Sequence, residues 1–376
     1  MKTLTRVLVL LPGADLGGAE AHTAWLARSL AASGLDVRLA IGAPLLDRFA
    51  PLLGPGAAVE AAPIAWDARR SVEANGNRQA EAAAGLIAAA RPDAAVLPLP
   101  WPTHGLGLQR ALAEAGVPVL AVAHLAPFEP EPDGLAAARA MRPGPTVWVA
   151  VSQPVAERLA ACFALPPGAV SVVLNGVRVP PEGPRRRAAA RAAKRDLAGV
   201  AGGAPLFVFA GRLEPNKGAD LLPALAERLH AATGGGVAVL GSGKASRGWD
   251  GAAALPGLRL MGHVPDVPDW LLAADALLLP SRLEGCPLVF LEAAARRCPV
   301  VAAPAALEAF GDDAFAMAAV AQEGSAAAIA DRALAAFAEP AATRRRAEAA
   351  YAFAAAHDVQ AMLRQYAALL RAAAAL

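Results

Sequence analysis

The chain has 376 residues, 56% of them apolar, with 35 Lys plus Arg against 33 Asp plus Glu and a net charge of +2. That length suits two domains rather than one, and the apolar fraction is ample for two cores. The near-neutral balance gives no footing for a nucleic-acid partner, no apolar run approaches the roughly 20 residues that span a bilayer, and Cys162, Cys286 and Cys298 read as reduced thiols of a cytoplasmic protein.

Arg6–Leu11 is predicted as the first strand. The apolar run around it is too short for a secretory signal and is cut by Pro12-Gly13-Ala14-Asp15. Pro12–Gly18 is a loop, Ala19–Ser33 a helix closed by Gly34, and Val37–Ile41 a second strand. This is the opening of a doubly wound α/β domain. Gly17 and Gly18 leave the backbone open to a phosphate or an acceptor, while Glu20 suits the positive end of the helix dipole. Ala80–Ala90 reads as helix, Ala94–Leu97 as strand, Leu99–Gly105 as loop and Gln109–Ala115 as helix. Val117–Ala123 is a strand ending at His124. Ligands of open α/β sheets gather beyond the carboxyl ends of the strands, which singles out His104 and His124 among six histidines. Trp101, between two prolines, packs or lines an acceptor groove. Thr146–Ser152 and Ser171–Leu174 are further strands around a helix at Gln153–Ala164.

Arg178–Arg195 is proline-rich and then basic, as in a linker running into a helix. The five arginines from Arg185 to Arg195 are the stretch best matched to an anionic lipid surface. With no bulky apolar residues beside them, a solvated helix face is expected instead.

The second half repeats the alternation without repeating the sequence. Phe207–Ala210 is a strand, followed by a turn with Arg212 and Lys217, two cations suited to a diphosphate. A helix at Ala219–Ala232 and a strand at Val237–Leu240 follow. Gly241-Ser242-Gly243-Lys244 then forms a short glycine-rich loop without P-loop spacing. Leu258–Met261 is a strand ending at Gly262-His263-Val264, and Pro268–Ala273 is a short helix. Ala276–Leu279 is a buried strand broken by Pro280-Ser281-Arg282. Pro287 falls where a first helical residue would, and Leu288–Arg297 continues as helix. The free amides of Leu288 and Val289 favour an anion there. Glu284 stands before the helix and Glu292 within it, on the face of Leu288. Cys286 lies in the same loop, where a small buried filler is the expected role. Pro299–Ala303 is the next strand. Helices are expected at Ser325–Phe337, Thr343–Ala355 and Asp358–Ala375, the last with an apolar stripe of Val359, Met362, Leu363, Tyr366, Leu369 and Leu370.

Two carboxylates eight positions apart, preceded by an Arg/Lys turn some seventy residues upstream, form a specific combination. The chain resembles the retaining glycosyltransferases of sequence family four, also through GGAE at Gly17–Glu20, AVSQPVAERL at Ala150–Leu159, LNGV at Leu174–Val177 and the GH…DW…AD run from Gly262 to Asp275. The resemblance implies a GT-B fold: two Rossmann-like doubly wound domains facing each other across a cleft. An acceptor domain would cover residues 1–177 with a crossover helix at 358–376, and a nucleotide-sugar domain residues 178–357. It implies transfer of a hexose-type sugar from a UDP- or GDP-sugar to a hydroxyl of a glycan, a lipid-linked compound or a small molecule, with retained configuration. Arg212 and Lys217 would neutralise the diphosphate, Glu292 hold the ribose and Glu284 a sugar hydroxyl. His124 would touch the donor sugar, and Gly262, His263 and Val264 the base. Gly17, Gly18, Cys286, Pro287, Leu288 and Val289 complete the expected donor contacts. No resident cofactor is expected and, with no D-x-D motif, no metal. Against the family pattern, Ala305-Ala306-Leu307-Glu308 replaces a glycine pair. Two other readings share the fold: a sugar-nucleotide epimerase and a non-catalytic sugar-nucleotide binder.

Overall fold

The computed structural model describes residues 4–54, 56–245, 249 and 255–376. The chain divides into two compact units, Met1–Leu174 with Gln360–Leu376, and Asn175–Val359.

The N-terminal unit runs β1 (Arg6–Leu11), α1 (Gly18–Ala32), β2 (Asp36–Ile41), α2 (Leu46–Leu53), β3 (Ala57–Ala61), α3 (Val72–Ala90), β4 (Ala94–Leu99), α4 (Leu106–Glu114), β5 (Val119–Ala123), α5 (Pro132–Ala140), β6 (Thr146–Ala150), α6 (Gln153–Phe163) and β7 (Val170–Val172). Its seven strands are ordered β3-β2-β1-β4-β5-β6-β7, with every pairing parallel. Helices cover both faces of such a sheet. The central strands therefore read as unbroken apolar runs, and Val7–Leu11 and Ala94–Leu97 are buried throughout.

Two features here depart from the sequence reading. The helix expected from Ala80 begins at Val72, because Ser71 Oγ accepts the Ala74 amide and caps it at 3.1 Å. β4 continues through Pro98, a residue that normally excludes a central strand. Pairing of β4 with β1 stops at Val96, so the missing Pro98 donor falls beyond that ladder while pairing with β5 continues to Leu99.

The second unit runs α7 (Pro184–Leu197), β8 (Leu206–Ala210), α8 (Leu222–Thr233), β9 (Gly236–Leu240), β10 (Leu258–Gly262), α9 (Val267–Ala273), β11 (Ala276–Leu279), α10 (Leu288–Ala294), β12 (Val300–Ala302), α11 (Asp313–Met317), β13 (Ala319–Val320), α12 (Ala326–Ala338) and α13 (Pro340–Ala356). Its order is β10-β9-β8-β11-β12-β13, again parallel, and the order reverses between β8 and β11. The last helix, α14 (Val359–Ala373), buries Met362, Leu363, Tyr366, Leu370 and Ala373.

The basic face of α7 is not a solvated one. α7 packs on α9, and five of its six cations bond inside the unit, Arg185 alone being left exposed without one among the described residues. Arg186 bonds Asp269 Oδ1 (3.1 Å), Arg187 the Arg296 carbonyl (2.6 Å), Arg191 Asp275 Oδ1 (2.8 Å) and Arg195 Asp275 Oδ2 (3.1 Å), while Lys194 pairs with Asp266. The acceptors lie 72 to 109 positions along the chain, outside any local pattern. Pro287 also differs from expectation: at φ −69° and ψ 114° it is the extended residue before α10, and that helix ends at Ala294 rather than Arg297.

Candidate active site

Four loops meet at the carboxyl edge of the six-stranded sheet. Backbone bonds join the loop after β8 to that after β9: Gly211 N–H donates to Leu240 O (2.9 Å), Leu213 N–H to Ser242 O (3.0 Å) and Ala245 N–H to Leu213 O (3.0 Å). Gly241 N–H reaches Gly262 O, at the end of β10, at 2.7 Å. Across the switch point, Asn216 O accepts from Arg282 N–H (2.8 Å) and Leu283 N–H (3.3 Å). Gly218 makes that approach feasible. Its φ is +66°, and a Cβ there would collide with the Pro280 carbonyl.

These bonds put Lys217 and Glu284 in contact. Lys217 Nζ donates to both Glu284 oxygens at 2.8 Å, and Ser281 Oγ donates to Oε1 at 2.8 Å. The Lys217 side chain is 22% exposed and that of Glu284 8%. Arg212 lies at the start of the same β8 loop, half-exposed and 3.4 Å from Glu214 Oε2. Arg282 forks onto Asp220 at 2.6 and 2.7 Å and so pins the loop from outside. The cluster offers one shielded carboxylate and two cations on one rim, together suited to a phosphorylated, polyhydroxylated ligand.

α10 starts beside this rim. Leu288 and Val289, its first residues, have no carbonyl four residues back within the helix to receive their amide protons. The Cys286 thiol is buried, which pushes its pKa up to about 12, so it acts as a filler, and its carbonyl accepts from Asn175 Nδ2 at 2.7 Å. Glu292, one helical turn beyond Leu288, has its pKa raised by burial, with Arg296 opposing the shift. His263 is exposed just after Gly262, whose φ is +67°, and Val264 is half-buried. Pro304–Phe310, which spans the replaced glycine pair, forms a 3₁₀ helix with Ala306 and Leu307 buried.

In the other unit, Gly17 is extended (φ −151°) before α1 and Gly18 is exposed as the first residue of that helix. Glu20 is buried rather than poised at the surface. His124 follows β5 and packs edge-on against His22 with ring centroids 4.7 Å apart; His22 also meets Tyr366 of α14 at 4.8 Å. Burial lowers the His22 pKa to about 4. Burial, and then the neighbouring His22, hold His124 well below its ordinary value. Neither Nε2 has a hydrogen-bond partner among the described residues. His104 stacks on Trp66 at 4.4 Å, a packing role the sequence did not announce, and burial lowers its pKa to about 3.

Sequence reasoning missed Ser281, Asn175 and Asn216. Asn175 stood in the LNGV motif and Ser281 in the strand-breaking tripeptide, so both positions were visible but their acceptors were not. Asn216 acts through its carbonyl, which no sequence pattern marks.

Two doubly wound units in one chain, with polar groups gathered at a switch point, define the class of the nucleotide-dependent GT-B proteins. A family model described as Glycosyltransferase Family 4 matches residues 16–179, and one described as Glycosyl transferases group 1 matches residues 204–339. Between them they span most of the chain, and the chain belongs to this glycosyltransferase family. It is 34% identical over 164 residues to the D-inositol 3-phosphate glycosyltransferase of Thermobispora bispora, and 34% over 177 residues to that of Streptomyces coelicolor. Each match spans 39% of this chain but only 37% and 38% of those relatives. Among solved structures, HepE from Anabaena, in complex with UDP, superposes with a TM-score of 0.75 at 18% identity, covering 98% of this chain and 100% of HepE. Sucrose-phosphate synthase from Thermosynechococcus elongatus gives 0.75 at 17% identity, covering 97% and 98%. Those similarities establish the fold.

No helix among the described residues is long and apolar enough to cross a membrane. Among the same residues, no three His, Cys, Asp or Glu side chains gather to hold a metal ion.

Proposed function

We propose that the protein transfers a glycosyl group from a nucleoside-diphosphate sugar to an acceptor hydroxyl with retention of configuration. The observation that carries this reading is the Lys217–Glu284–Ser281 cluster, with Arg212 beside it, at the switch point of the six-stranded sheet. The donor diphosphate takes Lys217 and Arg212 as its counter-charges. Release of Lys217 frees Glu284 to accept from a sugar hydroxyl, while Ser281 keeps its carboxylate oriented. Glu292 accepts from the ribose hydroxyls; their protons compensate the burial that now raises its pKa. The amides of Leu288 and Val289 add donors for the phosphates. The base lies against Gly262, His263 and Val264, and Cys286 and Pro287 shape the loop by packing and backbone geometry.

His124, held neutral by burial, presents an unpartnered Nε2 to a sugar hydroxyl. Gly17 and Gly18 leave the start of α1 open to donor or acceptor. In the reaction the anomeric C–O bond to the β-phosphate breaks and the acceptor oxygen bonds to the same face. The acceptor proton passes to the departing phosphate oxygen. Cations placed where that phosphate gains charge supply the main stabilisation, typically a hundredfold or more in rate per contact. The reaction needs no metal and no resident cofactor.

UDP-sugars are the first donors to try, because HepE is complexed with UDP and with UDP-glucose; GDP-sugars come next. Inositol phosphates lead the acceptors after the named relatives, followed by glycans and lipid-linked hydroxyl compounds. The test is a thermal-shift screen of the purified chain with UDP-glucose, UDP-N-acetylglucosamine and GDP-mannose, followed by transfer assays with NMR assignment of the product anomer. A stabilising donor, a retained product and full activity in EDTA are expected. Metal-dependent transfer removes the metal-free mechanism. Donor epimerised without acceptor indicates the epimerase, and binding without transfer to any acceptor indicates a non-catalytic binder. If no nucleotide sugar binds, the whole reading fails.

A further inference from the structure

The C-terminal unit carries a cavity at the edge of its sheet opposite the Lys217–Glu284 cluster. It encloses about 490 Å³ and is lined by α12, α13 and the starts of four strands, where Phe207, Ala276, Val300 and Ala319 lie. Lys217 and Glu284 follow the far ends of two of those strands, so a strand length of roughly 15 Å separates the two places. The volume lies within the range of about 300–1,000 Å³ usual for small-molecule sites.

The lining has two characters. Phe207, Val300, Val301, Ala333 and Phe337 form an apolar wall, with Phe337 47% exposed. Four arginines, Arg187, Arg297, Arg344 and Arg346, accompany only two carboxylates, Asp275 and Glu348. Both carboxylates are taken. Asp275 serves Arg191 at 2.8 Å, Arg195 at 3.1 Å and the Leu206 amide at 2.8 Å. Glu348 receives Arg297 Nε at 2.9 Å. Arg187 is spent on the carbonyls of Leu272 and Arg296.

Arg344 and Arg346 remain. Arg344 is exposed. Arg346 Nη1 is shut off from solvent without a hydrogen-bond partner among the described residues. Burial, and then Arg332 and Arg345, hold its pKa below the ordinary arginine value, with Glu339 opposing. Both cations lie on the first two turns of α13, whose N-cap is Glu339, so Arg332 and Arg345 are the like charges that crowd Arg346. A buried guanidinium hydrogen without an acceptor is costly, and an anion beside it offsets the burial and repulsion penalties together.

We propose that this cavity is a ligand site for a small amphiphilic anion, with its apolar body against Phe207 and Phe337 and its carboxylate or phosphate head on Arg344 and Arg346. The site is separate from the donor cluster, and its occupancy does not depend on what that cluster does.

The test is isothermal titration of the full chain with octanoate, set against octanol and octylammonium as neutral and cationic counterparts of the same body. Octanoate is expected to bind one per chain and at least tenfold more tightly than either counterpart. Arg346→Gln and Arg344→Gln are each expected to weaken octanoate about tenfold or more, the loss of one charge-assisted contact. Arg344 is exposed, so its variant keeps the fold and the comparison stays informative even if Arg346→Gln destabilises the chain. UDP titration of the same samples reads the donor cluster independently. Equal binding of all three probes, octanoate binding indifferent to both substitutions, or no octanoate heat up to about 5 mM each overturns the proposal. Capture by phosphatidylglycerol vesicles with no affinity for free octanoate overturns it as well, because the site would then read a bilayer.

Discussion

Both units bury titratable side chains near the carboxyl ends of their parallel strands, but they settle the cost differently. Glu284 lies beside Lys217 and Ser281, two groups that donate three 2.8 Å hydrogen bonds to it, so its charge is balanced where it stands. His22 packs against His124 and Tyr366 with no counter-charge among the described residues, and burial keeps both imidazoles neutral. Burial with a partner preserves charge for use on a ligand. Burial without one converts a base into a neutral hydrogen-bonding ring.

The sharpest way to break that contrast is to unbalance the first cluster. Lys217→Met leaves a nearly buried carboxylate without its cation. It should lower transfer on the order of a hundredfold and stability by about 2–4 kcal/mol in urea melts. Adding Glu284→Leu should restore most of the stability and none of the rate. Recovery of both would mean that the pair is structural only.

The histidine cluster should answer to pH rather than to a partner. The folded His22 pKa, about 4, lies below its unfolded value, so the unfolded chain binds the extra proton. Its contribution is complete above roughly pH 6.5 and is lost as pH falls toward 4, about 3 kcal/mol in all. His22→Gln should flatten this slope between pH 7 and pH 4.5 in urea titrations. An unchanged slope would place the acid sensitivity elsewhere.

Backbone at the same edge gives a smaller, matched comparison. Gly218 and Gly262 share φ near +66°, but a Cβ at Gly218 meets the Pro280 carbonyl whereas one at Gly262 meets open space. Gly218→Ala should cost about 2–3 kcal/mol and Gly262→Ala about 1 kcal/mol, measured by denaturant midpoint. Equal losses would show that φ alone governs both. The smallest effect belongs to an exposed pair: Arg228→Gln, which loses the 2.7 Å bond to Asp331, should change stability by less than about 1 kcal/mol and leave transfer unchanged.

Local pattern made much of the framework legible. Arg6–Leu11 and Ala276–Leu279 are strands with the limits their apolar runs predict, since a strand buried on both faces declares itself in composition. The alternation of such runs with helices gave the doubly wound class, and the Arg/Lys turn with the two glutamates pointed to the family. Elements that depend on capping or distant partners were less visible. α3 starts eight residues earlier than expected because one serine hydroxyl caps it, and β2 was followed by α2 and β3 that no strong period marked. The arginines of α7 looked solvated because their acceptors on α9 and beyond lie far along the chain.

By itself the sequence determined most of the strands and helices, because side-chain period and backbone propensity are local. It also carried the residue types of a diphosphate and sugar site. Tertiary structure alone decided that Glu284 is clasped by Lys217, that His124 is neutral, and that Arg346 lies unpartnered beside a cavity. Those outcomes depend on distance and desolvation between segments tens to hundreds of residues apart, and neither quantity is written in the order of the residues.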